Sequence, residues 1–199
     1  MQRNCIPTCI SAYTRGDLLD DPCLDALADA GLDEVRFSIK PEDVARPDAP
    51  VFGRIEAAVS SLPDVMVEMP VIPGTLSEMQ ELLVRLDDMG VRGVNLLEFC
   101  FPLCNAEAFR DRGFELRKHP FNYLYDYWYG GGVPVAGSEA EALTLMEYAV
   151  VRACCLVCII AVPTTRIRGR CISRIRCSPA TMGCGRIIRG LRPTKATAC

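Results

Sequence analysis

Twelve cysteines in 199 residues are the first side chains here that could do chemistry. Three pairs have ligand-like spacing: Cys5-I-P-T-Cys9, Cys100-F-P-L-Cys104 and Cys155-L-V-Cys158. Two thiolates make half of a tetrahedral zinc site or part of an iron–sulfur site, and either needs further ligands. Cys100 and Cys104 bring no third and fourth. Cys155 and Cys158 have apolar flanks and no partner knuckle. As small apolar side chains they suit a core, so no metal site is assigned. A second chemistry is written in P-G-T-L-S-E, Pro73 to Glu78, where the free N–H groups of a helix start could hold phosphate. Lys40 is the one strand-end lysine available for a Schiff base. Glu98, at the end of an apolar run, is either a polar substrate contact or a solvated strand-end carboxylate.

The elements around these residues follow from periodicity. Val65, Val67 and Met69 alternate as a strand, which Pro70 and Pro73-Gly74 stop because proline has no N–H for the ladder. Thr75 and Glu78 read as a capping box. Met79, Leu82, Leu83, Leu86 and Met89 then fall on one helical face, ended by Gly90. Val91 to Phe99 is the next strand, completing a parallel crossover. Upstream, a strand runs into Tyr13 to Asp17. Asp21 caps a helix with Pro22 at its first position and Leu24, Leu27 and Ala28 buried. Val35, Phe37 and Ile39 alternate as a strand ending at Lys40-Pro41, and Val51 to Ser60 is helical. Downstream, Ser138 and Glu141 open a last helix with Leu143, Met146 and Val150 facing inwards. The order is α/β with about four parallel strands. Ligands of such folds sit at the C-terminal strand ends, here Met69 to Gly74 and Glu98 to Cys104. Between them, Phe99 to Tyr129 holds 10 of the 14 aromatic residues, with the single His119 and Trp128. A connection this long covers a site, carries one, or caps the sheet.

Charge divides the chain near Val150. Residues 1–150 carry a net charge of −13; residues 151–199 carry +10, no acidic or aromatic residue, and 7 of the cysteines. The domain expected is 13–150, preceded by 1–12 and followed by a basic tail at 151–199. Back-translating Val151 to Ile175 and reading one base earlier permits an apolar strand followed by H-Y-C-S. The same shift at Arg3 to Ser11 permits a strand running into Tyr13. Both ends are therefore expected to be out-of-frame translations. M-Q-R-N-C-I-P-T has no apolar signal region, and Ala153 to Val162 is too short to span a bilayer. The expected setting is cytoplasmic and reducing, with no membrane partner and no disulfide framework.

Y-T-R-G-D-L-L-D-D, A-G-L-D-E-V-R-F-S-I and E-M-P-V-I-P-G-T-L-S-E resemble successive β/α units of radical SAM enzymes. V-N-L-L-E-F, R-D-R-G-F and G-S-E-A-E-A narrow the resemblance to an uncharacterised group related to pyruvate-formate-lyase-activating enzymes. It covers roughly residues 13–150. The resemblance implies part of a (βα)6 TIM-like barrel, with the first two strands missing upstream. It implies S-adenosylmethionine and a four-iron, four-sulfur cluster as cofactors of the intact family. The cluster, on a C-x3-C-x2-C loop after the first strand, reduces S-adenosylmethionine to methionine and a deoxyadenosyl radical. By the same resemblance Ser38 hydrogen-bonds the ribose or methionine part, Ile72-Pro73-Gly74 pack along the adenine, and Glu98 faces the barrel mouth. This chain departs from the pattern at the cluster. Cys5 and Cys9 match C-x3-C, but Ala12 stands where the third cysteine belongs. The expectation is a chain that binds neither cofactor and is inactive by itself, with its small-molecule or protein substrate unidentified.

Two readings from other classes compete. An aldolase- or isomerase-like barrel would use Pro73 to Glu78 for phosphate. A nucleic-acid-binding module would use the basic tail, although the tail lacks aromatics and amphipathic order.

Overall fold

The computed structural model describes residues 9–102, 104–118, 132–161 and 174–176. Cys5, residues 119–131 with His119 and Trp128, and nearly all of the tail beyond Ala161 lie outside the described residues.

One sheet organises the chain. Its order is β1 (Ser11–Thr14), β2 (Glu34–Ser38), β3 (Asp64–Val71), β4 (Gly93–Glu98), β7 (Val157–Ala161) and β8 (Arg174–Arg176). The first five are parallel, and β8 runs antiparallel on the outer edge of β7. A two-stranded antiparallel pair, β5 (Cys100–Phe101) and β6 (Val133–Pro134), stands apart from it. The helices are α1 (Asp21–Asp29), α2 (Pro41–Val44), α3 (Pro50–Ser61), α4 (Leu76–Asp88), α5 (Ala106–Asp111) and α6 (Ser138–Val151).

The parallel strands follow one another in sequence order, so every crossover moves one step the same way. Repeated crossovers of one hand put their helices on one side of the sheet. The core shows that side. Val35 and Phe37, Val65, Val67, Met69 and Val71, Val94 and Leu96, and Cys158 and Ile160 form one cluster with buried residues of α1, α3, α4 and α6. Strand side chains of the other parity, including the buried Met66, Asn95 and Val157, are not in it. Leu82, Leu83 and Leu86 on α4 are each at most 3 % exposed; burying a leucine of this kind contributes about 1.5–3 kcal/mol. Among the described residues no helix is long and apolar enough to cross a membrane.

Several local readings are corrected. Pro70 does not stop β3, which runs on to Val71 with Pro70 opposite Leu97. Asp20, not Asp21, caps α1: its Oδ1 accepts the Cys23 N–H at 3.0 Å. Thr75 sits at the α4 N-cap, but its hydroxyl donates back to the Ile72 carbonyl at 2.8 Å and makes no cap bond. The α6 N-cap is Gly137, at φ 91°, and Ser138 is the first helical residue. The inner face of α6 is Ala142, Leu145, Met146 and Ala149, while Leu143 is exposed. On α1, Ala28 is exposed as well.

The sheet does not stop at the charge break. Val157–Ala161 takes the position next to β4, in register Gly93↔Val157 through Leu97↔Ala161. The turn before it is held from α4, where Asp87 Oδ1 accepts the N–H groups of Cys155 at 2.7 Å and Leu156 at 3.1 Å.

Candidate functional site

The helix-free face carries a polar strip across three strands. Arg36 donates from Nε to Glu34 at 2.6 Å and from Nη1 to Glu68 at 3.1 Å. The same Glu68 oxygen accepts the Asn95 amide at 3.0 Å. Tyr13 lies over the guanidinium, 5.4 Å from ring centroid to Cζ. Burial alone would pull the Arg36 pKa down; hydrogen bonds to Glu34 and Glu68 overcome it and hold the group above its ordinary value. Asn95 is 9 % exposed, and its Oδ1 has no partner among the described residues. A buried acceptor left unpaired is costly. Ser38, at the end of β2, belongs to the same face by strand alternation, opposite Glu68, and is exposed.

The residues expected to line one cofactor are divided between three places. Ile72 lines an apolar cleft of about 140 Å³ with Ile39, Pro41, Val44, Met69 and Met79. Ile39, Met69 and Met79 are core residues, so this cleft is on the helix-covered side, away from Ser38. Its volume is below the roughly 300–1,000 Å³ of small-molecule pockets, enough for part of a ligand. Pro73 and Gly74 line a second, open cleft of about 420 Å³ with Arg112, Gly113, Phe114, Glu115 and Ala136.

The far wall of that cleft is a small subdomain made by the described parts of 99–137. Phe99, Phe101, Phe109 and Phe114 pack against one another, with ring centroids 5.1 to 5.8 Å apart. Val135 donates to the Phe99 carbonyl, Arg117 to Pro134 and Ala136 to Glu115. Gly132, at φ 76°, lies so close to β5 that an added Cβ would overlap the Phe101 carbonyl.

Glu98 does not face the mouth. It shares its parity with Val94 and Leu96, pairs across the ladder with Val71, and its side chain is 0 % exposed. Arg117 Nη1 reaches Glu98 Oε1 at 2.7 Å and Glu139 Oε2 at 2.6 Å. Burial pushes the Glu98 carboxyl up to about 7, against the pull of Arg117 and with a smaller push from Glu139. Nothing in the sequence flagged Arg117 or Glu139; both gain meaning only through the chain's return across the end of β4.

At the α4 start the Gly74 N–H already donates to Glu141 Oε1 at 2.8 Å. A carboxylate therefore already takes the N–H just ahead of the α4 N-cap. Among the described residues no three His, Cys, Asp or Glu side chains come together to hold a metal ion. Ala12, the third position of the would-be cluster motif, is a strand residue packed against the core. A thiolate there would point into the core and not towards Cys9, which is exposed. Among the described residues, Cys9 and Ala12 do not form part of a three-thiolate loop.

No family model and no curated protein matches the chain.

Proposed function

We propose that this chain is part of a radical SAM-type enzyme, an arc of its (βα)6 barrel without a working cluster loop, and that by itself it does not cleave S-adenosylmethionine. The supporting observation is the sequential order of five parallel strands with helices on one side and the Arg36–Glu68–Asn95 strip on the other. Closing such an arc into a barrel turns the strip inwards and gathers the strand ends at one mouth, where (βα)-barrel enzymes bind their ligands. Ser38 stands at that end of the strip, positioned to hydrogen-bond a ribose or methionine group. Because Ala12 stands at the third ligand position, these residues carry no reaction step by themselves. The aldolase- or isomerase-like reading is weaker, since a carboxylate, Glu141, sits beside the α4 start where it would repel a phosphate. Nearly all of the basic tail that a nucleic-acid reading needs lies outside the described residues.

The test is anaerobic reconstitution with iron and sulfide, then reduction and electron paramagnetic resonance. No four-iron signal is expected. A four-iron signal that changes on adding S-adenosylmethionine would make this chain a complete enzyme and overturn the proposal. The DNA flanking the reading frame is expected to encode C-x3-C-x2-C upstream in a shifted frame, and a flank without it would remove the family reading.

A further inference from the structure

Glu98 is the last residue of β4, and the subdomain begins at the next residue. Three polar contacts tie that subdomain and α6 to the sheet. Ser138 Oγ accepts the Phe99 N–H at 2.8 Å and donates to the Val71 carbonyl at 2.7 Å. Glu141 holds the Gly74 N–H. Arg117, carried by the subdomain, reaches down to Glu98. The third sets a fully buried carboxyl against a guanidinium.

We propose that Glu98 is a proton-operated lock: a proton on its carboxyl keeps the subdomain seated on the strand ends, and loss of that proton loosens the subdomain. Among the described residues, the charged groups facing the carboxyl are Arg117 from the subdomain and Glu139 from α6. The Cys100 thiol donates to the Glu98 backbone carbonyl at 3.4 Å. A single guanidinium nitrogen thus serves two carboxylates, so neither has that charge to itself. Glu98 Oε2 is buried and has no partner among the described residues. An ionised carboxylate needs its oxygens solvated or hydrogen-bonded, so the seated form favours a proton on Glu98. Unseating the subdomain would return the carboxyl to water, where it ionises in the ordinary carboxylate range. The seated form therefore binds the proton more tightly, and by linkage seating weakens as pH rises. The raised pKa of about 7, caused first by burial, agrees with this sign: seating weakens as pH rises from the ordinary carboxylate range and the loss is complete just above 7.

The consequence falls on the cleft, because Arg112 to Glu115 and Ala136 of the subdomain form the wall opposite Pro73 and Gly74. Loosening the subdomain widens the cleft, so access to the strand ends becomes pH-dependent. The lock goes beyond the proposed enzyme family and stands whatever the cleft binds.

Amide hydrogen exchange of the whole chain at pH 6 and pH 8, corrected for intrinsic exchange rates, tests it. The amides of Arg117, Val135 and Ala136 should lose about tenfold protection over that interval, the linkage expected for one proton bound with a pKa near 7, while β3 amides should not. Glu98→Gln should abolish the pH dependence. Equal subdomain protection at both pH values, or an unchanged pH dependence in Glu98→Gln, would overturn the lock. Should Glu98→Gln not fold, carboxyl NMR of the unaltered chain decides. A Glu98 midpoint between 6 and 8, lowered by Glu139→Gln, supports the lock. A midpoint in the ordinary range, or one indifferent to Glu139→Gln, sinks it.

Discussion

The Ser138 hydroxyl donates to the Val71 carbonyl at 2.7 Å, joining the first turn of α6 to the end of β3 across 67 residues. The same oxygen accepts the Phe99 N–H at 2.8 Å, and Ser138 is fully buried. One side chain thus satisfies backbone groups at the ends of two neighbouring strands, where the ladder stops and water does not reach. This explains why Ser138 enters the helix and leaves the N-cap to Gly137.

Ser138→Ala should therefore cost more than a helix cap. It leaves a donor and an acceptor without their partner, a loss of about 1–3 kcal/mol. Urea unfolding should show a lower midpoint with an unchanged slope, and exchange should quicken first at Phe99. A stability within about 0.5 kcal/mol of the original, the range of neutral surface changes, would mean that water or a neighbour replaces the hydroxyl.

Asp87 gives the second prediction. Its Oδ1 receives two consecutive backbone N–H groups ahead of β7. Asp87→Ala should destabilise the chain by about 1–2 kcal/mol, in the range of lost caps and charge-assisted hydrogen bonds. Asp87→Asn keeps an acceptor in the same place and should recover most of that. Equal losses in the two variants would point to charge, not to the backbone bonds, as the origin.

How much of this was legible depended on how local the signal was. Met79, Leu82, Leu83 and Leu86 announce their helix because its period lies within a dozen residues, and the alternation at Val65 and Val67 does the same for β3. Caps were misread where the side-chain oxygen has a more distant use. Thr75 turns back to Ile72, and Ser138 reaches Val71. The polar strip was illegible. Arg36, Glu68 and Asn95 stand in three separate strands, and register alone brings them together. Glu98 shows the same limit from the other direction. Its place at a strand end was plain, but its parity with Leu96 turns it towards the helices and Arg117. The strand at Val157–Ala161 sits inside a segment whose composition reads as a tail. Its backbone serves Asp87 and β4 with groups that every sequence carries.

Gly93 makes that strand testable. It pairs with Val157 in the ladder, and a Cβ added there would lie 2.5 Å from the Val157 carbonyl oxygen, 3.0 Å from the Val157 Cβ and 3.1 Å from the Met66 sulfur. The methionine could move aside. The carbonyl belongs to a strand backbone held on one side by β4 and before that by Asp87, and it cannot move without disturbing the register. Gly93 is not needed for a positive φ, so an alanine carries no backbone penalty and its whole effect reports contact. Gly93→Ala should then destabilise the chain by about 1–3 kcal/mol, the ordinary cost of overpacking a filled core. Exchange at 157–161 should accelerate more than exchange at 65–71 on the far side of β4. Unchanged stability together with unchanged protection would mean that Val157 does not lie against Gly93 in solution, and that β4 has another neighbour or none on that side.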